Sequence, residues 1–121
     1  MDKKNMPGSG RQERYVQASI LLGLFSKPSY GYELINTIQS FGFIEGAAPP
    51  GMVYRHLRQM EEDNMVKSEW ETQDAGAAKR IYTITAEGLE VLHLWVRFME
   101  SKAAKLNEFV VKFREADESR G

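Results

Sequence analysis

Residues 49–64 read PPGMVYRHLRQMEEDN, with Tyr54, Arg55 and Arg58 in the first half and Glu61, Glu62 and Asp63 in the second. Proline followed by apolar residues at steps of three and four predicts a helix that starts about Pro50. On a helical wheel Val53, Leu57 and Met60 share one face with His56 at its margin, and that face is expected to pack inward. The opposite face carries Gly51, Arg55, Arg58 and Glu62, flanked by Tyr54 and Gln59, and is expected to look outward.

Upstream, residues 11–25 (RQERYVQASILLGLF) turn apolar and are long enough to favour a buried helix over a strand, ended by Lys27 and Pro28. Ser29 or Tyr30 then opens a second helix, in which Leu34, Ile35, Ile38 and Phe41 recur at helical spacing and Gly42 is the stop. FIEGAAPP is a loop. Downstream of Asn64 the period changes to two: MVKSEWE and KRIYTI predict a hairpin, with turn chemistry at Asp74, Ala75 and Gly76 and with Lys79 and Arg80 just beyond its tip. Thr85 is placed to cap a final helix, with Glu87 in its first turn.

That final helix carries an unbroken heptad seam of Leu89, Leu92, Val96, Met99, Ala103, Leu106, Val110 and Phe113. Such a stripe stays exposed unless another helix covers it, and a second copy of the chain is the economical cover. Trp95, Phe98 and Met99 lie beside the seam and are candidate contacts for an apolar or aromatic small-molecule effector. Aromatics at helical spacing are more often core than ligand box.

Composition limits the classes open to the chain. Its 121 residues, 42% of them hydrophobic, suffice for one domain with a real core or a small domain plus a long helix. With no cysteine, disulfide scaffolds, cysteine-ligated zinc and cysteine nucleophiles drop out, and a reducing cytoplasm is the expected setting. The longest apolar-like stretch, residues 18–25, is too short to span a bilayer, and no signal peptide opens the sequence. Sixteen basic against seventeen acidic residues give a net charge of -1, which by itself argues mildly against nucleic acid. Local clusters matter more, because phosphate attraction acts within about 8–10 Å of the docking face.

The order helix, helix, helix, hairpin, long helix is that of a mainly α winged helix-turn-helix domain with a dimerisation helix. Residues 1–10, polar and containing Lys3 and Lys4, read as a flexible arm, 11–85 as the DNA-binding domain and 86–121 as the dimerisation helix with a short tail. In that layout the third helix enters the major groove of double-stranded DNA. Gly51 would allow close approach to phosphate, Tyr54 would offer a hydroxyl, and Arg55 and Arg58 would reach a base edge or phosphate. Tyr32, Lys79 and Arg80 complete the candidate set, although tyrosines pack as often as they bind and strand cations are usually only solvated. Two exposed arginines on an amphipathic helix are commonplace, so it is the arrangement that favours DNA.

The stretches SYGYELI (residues 29–35), PGMVYRHLRQMEEDNMV (50–66), SEW (68–70) and GAAKRIYTITAEG (76–88) resemble the PadR family of bacterial transcriptional regulators. The single helix that follows is similar to the family's short-tailed subgroup. Pro50, Gly51, Val53, Tyr54, Leu57, Met60 and Glu61 match the family pattern. Met52 stands where threonine is frequent, so a different base or methyl contact replaces a hydroxyl; Tyr30 stands where His, Ser or Thr is common and Lys79 where Arg is usual. The resemblance implies a homodimer on a near-palindromic operator, commonly a repressor, with an effector sometimes bound near the dimer interface.

Two other readings compete. An enzyme finds little support: His56 and His93 are far apart, no nucleophile, metal-ligand or phosphate-loop motif is present, and no cofactor is called for. A winged helix that recruits a protein partner without touching DNA is the stronger rival, favoured by the near-neutral charge.

Overall fold

The structure, a computed structural model, describes residues 13–72 and 76–121. The expected N-terminal arm and the turn residues Asp74 and Ala75 lie outside these residues. The first helix, α1 (Val16–Ser26), starts later than its apolar composition suggested. Residues 13–15 form a turn in which Glu13 O accepts from Val16 N at 3.3 Å. Apolar nearly all round, α1 is the central post of the core, with Ile20 and Leu21 wholly buried. It ends where Lys27 turns extended ahead of Pro28, as the residue before a proline must.

Tyr30 caps the second helix, within the expectation, but it and Ser29 are also extended. They form β1 (Ser29–Tyr30), and α2 (Gly31–Ser40) follows, with the backbone N–H of Tyr30 held by Glu33 Oε1 at 2.9 Å. After the loop, α3 (Pro50–Glu62) presents Val53, Leu57 and Met60 to the core as its periodicity requires. Asn64, in the left-handed region at φ 61°, turns the chain out of α3, a conformation asparagine tolerates better than most residues.

The wing is β2 (Val66–Glu71) and β3 (Lys79–Ile84), antiparallel in the register Val66↔Ile84 to Glu71↔Lys79. The hairpin is not alone: β1 pairs with the other edge of β3 (Ser29↔Tyr82, Tyr30↔Ile81), giving a three-stranded sheet in the order β1-β3-β2. This pairing ties the start of α2 to the wing.

Helix α4 (Ala86–Arg120) runs for 35 residues. Thr85 Oγ1 caps it by accepting from Gly88 N at 2.9 Å, and its hydroxyl donates to Asn64 O at 2.5 Å. Met65 O accepts from Thr85 N at 3.1 Å. A single knot thus joins the end of α3, the start of β2 and the first turn of α4. It requires glycine at 88, because a Cβ there would overlap the Met65 carbonyl oxygen and lie 2.9 Å from Ile84 Cγ1.

The heptad seam divides in two. Leu92, expected at a dimer interface, is buried in the chain's own core, and Leu89 and Met99 pack partly against that core. From Glu100 onward every residue of α4 is exposed, so Ala103, Leu106, Val110 and Phe113 are left uncovered by the described residues. No helix among the described residues is long and apolar enough to cross a membrane. Gly88→Ala, which strikes a backbone oxygen rather than a movable side chain, should lower unfolding free energy by about 1–3 kcal/mol in denaturant titrations at fixed protein concentration.

Candidate nucleic-acid interface

Burial of one face of α3 decides what the other presents. Gly51, Tyr54, Arg55, Arg58, Gln59 and Glu62 are exposed, as the wheel required. Met52 is not available: its side chain is 9% exposed and belongs to the core, so the expected base or methyl contact is corrected. The third position of a helix can turn either way, and here the loop before α3 folds back, burying Ile44 and Ala48 in the same core.

Around Tyr54 the other expected residues converge. Tyr54 lies directly on the first residue of α2, since a Cβ at Gly31 would overlap its ring. Tyr30 and Tyr32 stack, with centroids 5.7 Å apart and planes 4° from parallel, and Lys79 Nζ stands 5.6 Å from each ring. Together with Arg80 and Tyr82 these residues line an open notch of about 210 Å³ between α2, α3 and the wing. Arg80 is held over the Trp70 ring at 5.0 Å. Tyr32, Tyr54, Lys79 and Arg80 are therefore brought together, whereas Gly51, Arg55 and Arg58 occupy the exposed face of α3 outside the notch.

Two acids at this face gave no sequence signal. Glu71 accepts a hydrogen bond from the Tyr30 hydroxyl. That bond, chiefly, raises the Tyr30 phenol above its ordinary range, keeping it a neutral donor. Glu13 Oε1 accepts from Arg55 Nη2 at 2.8 Å and lies 2.9 Å from His56 Nε2. The Arg55 bond and then the His56 bond hold the Glu13 carboxyl below the usual carboxylate range, against an opposing push from burial. Forty-two residues separate Glu13 from Arg55, so no local pattern announces the pair. Arg58 makes no salt bridge among the described residues.

The candidate effector residues fare unevenly. Trp95 is 5% exposed, and its indole N–H donates to Gln17 Oε1 at 2.8 Å, which leaves only ring surface for contact. With Leu22, Phe41, Phe43, Val96 and Met99 it lines an apolar recess of about 260 Å³ between α1 and α4. Phe98 is not part of that lining; it packs edge-on against Trp95. No group of acids or histidines suited to a metal ion occurs among the described residues.

Comparison with known proteins bears on the family and the fold. Residues 20–94 match the family model described as "Transcriptional regulator PadR-like family". The fold is similar to that of a PadR family transcription regulator from Clostridium difficile R20291, at 27% identity and TM-score 0.70, covering 79% of this chain and 98% of that one. A conserved protein of unknown function, described as a potential transcriptional factor, is 30% identical with TM-score 0.76, covering 88% and 94% of the two chains. Bacillus subtilis PadR in complex with operator DNA shares the fold at 22% identity and TM-score 0.60, over 69% of this chain and 47% of that one. A search of the curated proteins finds no match.

Because the carboxyl of Glu13 is held low in the folded state, its contribution to stability is present above the ordinary carboxylate range and is lost as pH falls through its lowered value. The stability difference between the parent and Glu13→Gln should thus be visible near about pH 7 and shrink below about pH 4. Denaturant titrations across that range check it, and a pH-independent difference would show that the pairing is not ionic.

Proposed function

The chain belongs to the PadR-like family of transcriptional regulators, which are not enzymes, and on that footing we propose that it is a sequence-specific DNA-binding repressor acting as a homodimer. The observation that carries this reading is the convergence of Tyr32, Tyr54, Lys79 and Arg80 beside the exposed Arg55 and Arg58 of α3. Placed against a duplex, α3 lies in the major groove and Arg55 and Arg58 face the groove floor and its rim. Tyr32, Tyr54 and Lys79 offer hydroxyl and ammonium donors to flanking phosphates. Gly51, with no side chain and exposed at the start of α3, leaves its own backbone N–H open to an anion, the N–H groups of Met52 and Val53 being taken by Pro49 O. The Bacillus subtilis relative, solved with operator DNA, supports this use of the fold. Of the acids behind the near-neutral net charge, Glu61, Glu62 and Asp63 fall at the far end of α3, while Glu13 and Glu71 at this face are engaged by Arg55 and Tyr30.

Fluorescence anisotropy with a duplex selected by the protein from a randomised library tests the reading. Arg58→Ala and Lys79→Ala should each weaken binding roughly 5- to 150-fold, and each lost phosphate contact should flatten the log–log salt slope by about 0.9. A protein-recruiting module would select no duplex and show no salt-dependent binding.

The dimer is assigned to α4. Leu106 and Phe113 are 68% and 62% exposed and stand in one stripe with Ala103 and Val110, a surface that a second copy of the helix would cover. The recess beside it, walled by Trp95, Val96 and Met99, is the seat proposed for an apolar or aromatic effector, read in the same assay as a change in affinity when the compound is added. Leu106→Glu, at a residue 68% exposed among the described residues, should give a folded monomer in sedimentation velocity that no longer binds the selected duplex tightly. A monomeric parent would end the dimer proposal.

A further inference from the structure

The two arginines of α3 are not equivalent. Arg58 has no acidic partner among the described residues, but Arg55 is gripped by Glu13 from the turn that precedes α1. The same carboxylate oxygen lies 2.9 Å from Nε2 of His56, whose side chain is only 10% exposed. One oxygen atom is therefore pinned to two successive residues of α3, one on its inner edge and one on its outer face. The grip engages one terminal nitrogen of the Arg55 guanidinium, and the Arg55 side chain remains 58% exposed. Its other N–H groups make no hydrogen bond among the described residues, so the contact restrains the guanidinium at one end and leaves the rest of its fork free.

Pairing changes what an arginine is good for. A guanidinium neutralised by a carboxylate at 2.8 Å has lost most of its attraction for a phosphate and brings a second negative charge toward it. Its hydrogen-bond fork survives, and with one end restrained, less side-chain entropy is lost when it meets the two acceptors of a guanine edge. The geometry points to Glu13 as a positioning residue that dedicates Arg55 to reading a base edge, leaving the phosphate contacts to Arg58 and the notch. Selectivity for sequence is then set partly by a residue in the turn before α1, outside the helix-turn-helix.

This inference rests on the DNA-binding reading above, and the test separates the two. Affinity is measured for the parent, Glu13→Gln and Arg55→Lys on the library-selected duplex and on the same duplex with its bases shuffled, at several salt concentrations. Helical content by circular dichroism checks that each variant is folded. Freed of its carboxylate, Arg55 becomes an ordinary mobile cation. Glu13→Gln should lower the ratio of selected to shuffled affinity about tenfold while raising affinity for the shuffled duplex, with a salt slope there steeper by about 0.9. Arg55→Lys, which keeps the charge and loses the fork, should lower the ratio similarly. In an Arg55→Ala background Glu13→Gln should no longer change the ratio. The inference is overturned if Glu13→Gln weakens binding to both duplexes in proportion, as a purely structural residue would. It is equally overturned if the ratio is unchanged, or if the effect persists without Arg55. A parent that selects no duplex would overturn this inference together with the reading beneath it.

Discussion

Burial of Val53, Leu57 and Met60 against α1 and α2 is the constraint on which the rest depends. An α-helix cannot turn one face inward without committing the other, so seating these three side chains fixes the outward direction of Tyr54, Arg55 and Arg58. Burying each side chain of this kind is worth roughly 1.5–3 kcal/mol, far more than any solvated charge on the outer face can recover by rotating the helix. The rest of the interface is built around that orientation. Gly31 lets Tyr54 lie on α2, and the pairing of β1 with β3 brings the start of α2 to the wing cations.

Features with a local period could be read from the chain directly. The alternation in KRIYTI, the three-and-four spacing of α3 and the Thr85 cap each express geometry over a few residues, and each appears where its pattern placed it. Ser29 and Tyr30 show the limit. Two residues are too few to display a period, and their strand exists only because β3 offers a free edge. The same holds for Glu13, in the turn before α1, whose partners lie more than forty residues away on α3. Met52 differs for another reason: its place on the wheel is intermediate, and it is buried in the core to which Ile44 and Ala48 of the preceding loop also belong.

The long helix illustrates how one repeat can serve two surfaces. A heptad records only that a stripe is apolar, not what covers it. The first turns of α4 are covered by α1, through Leu92 and the Trp95–Gln17 hydrogen bond, while the stripe beyond Met99 has no cover among the described residues. The apolar recess lies where these two parts meet. A change in the contents of the recess would therefore bear on both the helix that supports α3 and the helix assigned to the second copy, which is the arrangement a coupling between effector and DNA requires.

The central claim is that the outer face of α3 enters the major groove. Dimethyl sulfate probing of the selected duplex tests it most directly, because guanine N7 lies on the major-groove edge and adenine N3 on the minor-groove edge. Bound protein should shield guanine N7 in two patches about one helical turn, roughly 34 Å, apart, one for each copy of α3 in the proposed dimer. Shielding of adenine N3 with guanine N7 left fully reactive would contradict the account.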